Sequence, residues 1–559
     1  VSVENYSRAA ICLVALLLSG CRDSAEPVDD SEPKSAISNA FSDQYQDDLL
    51  AYAIDNLNRL EEFDSTDALQ QVLERLNAQD QKKSKKSAPS DTLLEAWPEP
   101  EMLRQIVDRL NQWIRTQQAP ADWQLDPLVA TLPAPLADLP LVKSLDRMEF
   151  PRFDGYALQE AVWLRDAGSW ARGDALDDLD RAGSLFDWTV RNMQLERESD
   201  GRIPLFPWES LLFGRGTATE RAWVFVLLAR QLGIDAAVLA VGDKASPRLW
   251  CVAVLIEGKA YLFDPLLGLP IPSPEGVKFD EAGQLIIQPA TLAQVRADEK
   301  LLRQLDADAA HVYPIHAADL KYLAVMLEAS PTYLSKRMKL LESRLAGSRK
   351  MVLSISPTAQ AAQWNKVDGL DDARLWPWPF QTIERRAHLD SREVQAQLAA
   401  ILPFYGMPSA PLRRGRVLQL KGKFIGDEGA IHYYQMARPS NAEVSASSAH
   451  PMEKLIYLRG KQDASYWLGL IAYQRAGYRS AIDYFANRTL LAMPNGPWSD
   501  GARYNLARTF EASGDKERAI LQYASNADSA GYLGDLLRAK WLREKKDEKT
   551  SVRPQAERL

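Results

Sequence analysis

Three cysteines and five histidines are all the thiol and imidazole chemistry in 559 residues. No CxxC or HExxH spacing occurs among them, so no metal site and no cofactor are expected. All five imidazoles, His311, His316, His388, His432 and His450, lie beyond Ala310. Any nucleophile in the first 310 residues must therefore do without a nearby ring base in sequence. Thr217 and Thr219 open an apolar helix, whose N-terminal dipole would favour an oxyanion. Cys251 lies inside Leu-Trp-Cys-Val-Ala-Val, and a reactive thiol needs an electropositive, partly exposed setting, so an inert core residue is expected. Asp264-Pro265 ends a strand-like run, where a carboxylate can cap backbone N–H groups.

The apolar spacing predicts the elements that carry these residues. Residues 217–232 form a helix so apolar from Ala222 to Ala229 that it must be buried on most sides, with Gly233 as its cap. A helix at 176–195 precedes it, with Leu179, Ala182, Phe186, Val190 and Met193 inward. Strand-like runs follow at 236–241, 249–256 and 260–263, the last two joined at Glu257-Gly258-Lys259. A buried helix followed by an antiparallel sheet is an α+β arrangement. Upstream, Leu49, Leu50, Ala53, Leu57 and Leu60, then Leu69, Val72, Leu73 and Leu76, predict a helix pair, and Ile106, Leu110, Trp113 and Ile114 a further helix. The lysines at 82, 83, 85 and 86 fit a solvated linker. Five prolines between Pro120 and Pro140 predict a boundary or an extended wrap on the next domain. Downstream, Ser330-Pro331 signals a helix start, 351–355 (MVLSI) a buried strand, and Leu375-Trp376-Pro377-Trp378-Pro379-Phe380 a ligand platform or, more in keeping with large aromatics, packing on a neighbouring helix.

Gly216-Thr217-Ala218-Thr219-Glu220-Arg221-Ala222, then Arg230-Gln231-Leu232-Gly233-Ile234-Asp235-Ala236, then Leu249 to Pro265, resemble in order the core of the transglutaminase-like superfamily, with Asp187-Trp188 in the preceding helix. The resemblance covers roughly 120 residues. It implies a papain-like triad: a Cys at the helix start, a His on the next strand and an orienting Asp. Family spacing places the nucleophile at Ala218, the His at Leu249 and the Asp at Asp264. The resemblance thus implies a dismantled triad, with Cys251 expected on the same strand face as Leu249.

At the beginning of the chain, the ten-residue apolar run from Ala9 to Leu18 is too short to span a membrane, which needs about 20 residues. With Leu18-Ser19-Gly20-Cys21 it resembles the signal peptide and lipobox of bacterial lipoproteins. The resemblance implies a lipidated Cys21, a stable anchor, and, through Arg22, the outer rather than the inner membrane. Residues 22–42 are polar and Pro-bearing, as in a tether. In the mature form only Cys21 and Cys251 would remain, so no intrachain disulfide is expected.

The carboxy-terminal part repeats. Leu468-Gly469, Ala481-Ile482 and Phe485 recur thirty-eight positions later as Leu506-Ala507, Ala519-Ile520 and Tyr523, and Ala430 with Tyr434 marks an earlier copy. The pattern resembles tetratricopeptide repeats, which implies a solenoid holding a protein or peptide partner on its concave side. Arg413, Arg414, Arg416, Lys421 and Lys423 near its start fit a solvated helix face.

Lys plus Arg number 67 against 75 Asp plus Glu, a formal charge of −8, which disfavours nucleic acid as partner. The expected organisation is a signal peptide at 1–20, a tether at 21–42, a helical region at 43–118, a Pro-rich linker at 119–140, a transglutaminase-like domain at 141–297, a helical connecting region at 298–410, tetratricopeptide-like repeats at 411–545 and a polar tail at 546–559. The whole is expected to be mostly helical α+β. The expected function is non-catalytic: a lipid-anchored, periplasm-facing protein of the bacterial envelope, acting in protein binding or scaffolding. The alternative is a cysteine-type amide hydrolase or acyl-transferase with a relocated nucleophile, Cys251 or a threonine.

Overall fold

In the computed structural model of the chain, the described residues are 47–65, 67–68, 70–72, 74, 94 and 97–551, except 200, 281–283, 406–409 and 447–450. Cys21, the tether, the lysine run, His450 and the last eight residues lie outside them, as do Leu69, Leu73 and Leu76 of the second apolar stripe. Among the described residues no helix is long and apolar enough to cross a membrane.

Helix α1 (Arg152–Ala171) packs on α2 (Asp178–Asn192) and α3 (Ala218–Gln231), which in turn pack on one face of a six-stranded sheet. Thr217 caps α3: its hydroxyl accepts from Glu220 N at 3.3 Å, and the Glu220 carboxylate accepts from Thr217 N at 2.9 Å. This reciprocal pairing satisfies two orphan donors. At the other end Gly233 takes φ +75°, the left-handed conformation that a residue without Cβ adopts freely.

The strands are β1 (Asp235–Gly242), β2 (Pro247–Ile256), β3 (Lys259–Asp264), β4 (Leu269–Pro270), β5 (Leu323–Leu327) and β6 (Asp372–Leu375), in the spatial order β6-β5-β1-β2-β3-β4. The expected hairpin turn stands at Glu257 and Gly258, both with positive φ. The sheet is mixed rather than purely antiparallel, because β6 runs parallel to β5. Its two outer strands on that side come from 298–410, which is therefore not only helical. A short apolar run such as Leu323–Leu327 is compatible with either element by periodicity alone.

Two other local expectations change. Residues 351–355 form no ladder, because side chains hold the backbone instead: Gln231 brackets Val352, Glu342 accepts from Leu353 N and Ser354 N, and only Ile355 N reaches a main-chain oxygen, at Tyr333. The helix after Ser330 is a single turn, Pro331–Leu334, and Ser335 caps the next one, Lys336–Ser343. The prolines at 120–140 wrap rather than link: Trp123 Nε1 donates to Leu334 O at 3.2 Å, and Asp126 accepts from Thr358.

Downstream, helix hairpins stack at 410–436, 451–491 and 499–524, closed by a helix at 532–551. The repeated residues explain the packing. Ala430, Tyr434, Ala481, Phe485, Ala519 and Tyr523 are all buried, and Phe485 and Tyr434 each enter a space left by a glycine. A Cβ on Gly469 would stand 2.5 Å from the Phe485 ring, and one on Gly415 2.8 Å from Tyr434.

The expected solvated basic face is instead largely internal. Arg416 is fully buried, donating to Leu211 O at 2.8 and 2.9 Å beneath the Trp467 ring, and Lys421 pairs with the buried Glu61 at 2.7 Å. Arg413 is buried over Tyr405, while Lys423 stays exposed. Long cationic side chains here bridge layers rather than coat the surface.

The hairpins do not stand apart from the α+β core. Leu49–Leu559 is one compact unit, so the expected boundaries at 118, 140, 297 and 410 divide sequence rather than separate bodies. First helices of the hairpins clasp α2: Arg508 pairs with Asp187 at 2.8 Å, Arg191 lies over Tyr473, and Asn505 donates to Arg191 O. The two guanidiniums outweigh burial and hold Asp187 below the ordinary carboxylate range. The first helices of the second and third hairpins are engaged, at this stretch, with the chain's own core.

Candidate functional site

The three positions that the resemblance assigns to a triad can be followed residue by residue. Ala218 is the first residue of α3 and brings only a methyl group there. The surrounding donors and acceptors are engaged. Glu220, buried at the same turn, accepts from Leu205 N at 2.6 Å and from Arg202 at 2.7 and 2.8 Å. Thr219 Oγ1 donates to Glu198 at 2.6 Å. Arg221 donates to the carbonyls of Met193, Val190 and Pro265.

On β2 the ladder slips. Leu239 pairs with Cys251 but Ala240 pairs with Leu249, so Trp250 is the extra residue of a bulge. Pairing partners share a face, and Ala240 lies in the core that includes α3 whereas Leu239 lies in the core behind the sheet. Cys251 and Leu249 consequently point to opposite faces, contrary to the expectation from simple alternation. A one-residue insertion inverts every side chain beyond it. Leu249 is 39% exposed and Cys251 is 1% exposed.

Asp264 belongs to the rear face as well. Phe263 before it packs on Phe186 and Phe225, while the Asp264 carboxylate accepts from Tyr313 Oη at 2.6 Å and from Leu266 N and Leu267 N at 2.8 and 3.0 Å. Trp250 Nε1 in turn donates to Tyr313 Oη at 2.8 Å. The carboxylate is a loop anchor, as a strand-terminal Asp can be. Burial raises its pKa, with those three donors partly offsetting the rise. Burial, and then the charge of Asp264, pushes the Cys251 thiol well above its ordinary value. This setting suppresses the thiolate.

Among the described histidines, the ring nitrogens with partners reach Asp308 from His311 and the Glu384 carbonyl from His388. None is bonded to Cys251, Thr217 or Thr219. The described residues contain no group of three or more His, Cys, Asp or Glu able to hold a metal ion.

The chain matches no family model, no curated protein and no solved structure.

What the fold does bring together is Leu249 and the Trp-Pro-Trp run. A cleft of about 460 Å³ is walled by Leu249, Met326, Arg374, Trp376, Pro377 and Trp378. Trp376 is buried and meets Trp223 of α3 edge-on, with ring centroids 6.2 Å apart, so this ring packs as large aromatics usually do. Trp378 opens the next helix, Trp378–Arg386, and remains partly exposed. Met326 and Arg374 were missed as site residues because they lie on β5 and β6. The signal that could have found Met326 is the apolar run Leu323–Leu327.

Proposed function

We propose that this chain is a non-catalytic, lipid-anchored protein of the bacterial cell envelope, whose transglutaminase-like core has lost its triad and serves binding or scaffolding beside tetratricopeptide-like hairpins. One observation carries the absence of turnover: the nucleophile and imidazole slots hold Ala218 and Leu249, while Asp264 is turned to the other face of the sheet. An Asp that accepts from a tyrosine and two backbone N–H groups has no imidazole to orient, and without a base no hydroxyl or thiol is activated. The hairpins carry the surface for a protein or peptide partner in this reading, and the cleft beside Leu249 is a second binding element.

Iodoacetamide labelling of the folded mature protein, run with an amidase and amine-transfer assay, tests it. Cys251 should react slowly, without a titration step between pH 6 and 9, and at full rate only in denaturant. Fast, pH-dependent labelling accompanied by loss of a measurable activity would establish the relocated-nucleophile alternative. The anchor has its own test: Cys21→Ser should move the protein out of the membrane fraction.

A further inference from the structure

We infer that the cleft beside Leu249 takes a small amphipathic organic acid, a carboxylate carried on an apolar body. The inference rests on the binding role just proposed and names its ligand class. The volume, about 460 Å³, falls within the roughly 300 to 1,000 Å³ usual for small-molecule sites. Its walls come from β2, β5, β6 with the run after it, and residues 131–133, so the sheet preforms much of it. Leu249 leaves 39% of its surface in water beside Met326 and the two tryptophans, an arrangement that an apolar occupant would dry.

Charge selects the sign. Arg374 is the only charged side chain among the residues that line the cleft. Its guanidinium contacts Asp372 at 3.2 Å and donates to the Tyr322 hydroxyl, yet its Nε has no acceptor, and neither has Trp378 Nε1. Arg374 thus gives the cleft its one lining charge, and that charge is positive. A carboxylate supplies acceptors and a negative charge together, whereas an ammonium would meet a guanidinium with no lining acid to pair with. A fatty acid and the C-terminus of an apolar peptide offer this same chemistry.

The test titrates the full chain with dodecanoate, N-acetyl-trileucine and dodecylamine, each below its aggregation threshold, followed by tryptophan fluorescence and calorimetry. At least one of the acids should bind, tenfold or more tightly than the amine, and the tighter of the two names the source. Leu249→Trp should fill the cleft and weaken that acid tenfold or more with the circular dichroism spectrum unchanged. Arg374→Gln should bring acid and amine to similar affinity. Equal binding of dodecylamine to the unaltered chain, no binding of either acid, or unchanged acid affinity in Leu249→Trp overturns the inference. If Arg374→Gln unfolds, Leu249→Trp still decides. These failures leave the non-catalytic reading intact as long as Cys251 stays inert to iodoacetamide, whereas fast labelling with turnover defeats that reading whatever the titrations give.

Discussion

Replacing Asp535 by Asn removes a carboxyl that the closing helix holds against the core. Asp535 is buried beside a small polar cavity of about 30 Å³ lined also by Arg221, Tyr466, Asp500 and Asn505. Helix 532–551 approaches so closely here that a Cβ on Gly534 would collide with the Leu267 carbonyl. Burial pushes the Asp535 carboxyl up to about 8 from an ordinary 3.8, against the pull of Asn526, Arg538 and Arg221 and with a small push from Asp500. A carboxyl whose folded pKa is raised is protonated in the native state while the unfolded chain has already released its proton. Its contribution to stability is therefore complete below about pH 4 and is lost as pH rises towards 8. Each pH unit in that window costs about 1.4 kcal/mol, so roughly 3 kcal/mol disappears between pH 5 and pH 7. Urea unfolding of the wild type and Asp535→Asn at pH 5, 6, 7, 8 and 9 measures this. The difference between the two should shift by about that amount from pH 5 to 7 in favour of the variant, and level off above pH 8. Parallel curves across the whole range would mean that Asp535 is ionised in the folded protein and that the burial argument fails.

Two further outcomes follow from packing. Gly469→Val forces a side chain into the Phe485 ring and should cost about 1 to 3 kcal/mol in urea unfolding, while Gly183→Ala, in the interior of α2 with nothing within 4 Å of the added Cβ, should stabilise by about 0.5 to 1 kcal/mol. Lys421→Met leaves Glu61 buried without its partner and should cost about 3 to 5 kcal/mol, most of which Glu61→Leu in the same chain should restore.

Much of the helical framework was legible because it depends on short-range physics. The apolar helix from Thr217, the Gly233 terminus and the Glu257-Gly258 turn are set by neighbouring residues, and each stands where the sequence places it. The small-residue and aromatic spacing of the hairpins was equally legible, since one turn of helix fixes which residues meet. The candidate cleft was visible only in pieces. Leu249 was named as an empty imidazole slot and the Trp-Pro-Trp run as an isolated curiosity, more than a hundred residues apart.

The sequence by itself determined that Ala218 and Leu249, the positions the resemblance assigns to a nucleophile and an imidazole, carry neither group, because residue types need no coordinates. Only the tertiary structure decided where Cys251 and Asp264 point. A bulge at Trp250 depends on how two strands register across the sheet, and strict alternation along one strand cannot reveal it. The same holds for the buried arginines and for α2 clasped by the hairpins. Whether a cation or a helix face meets water is settled by what packs against it from elsewhere in the chain.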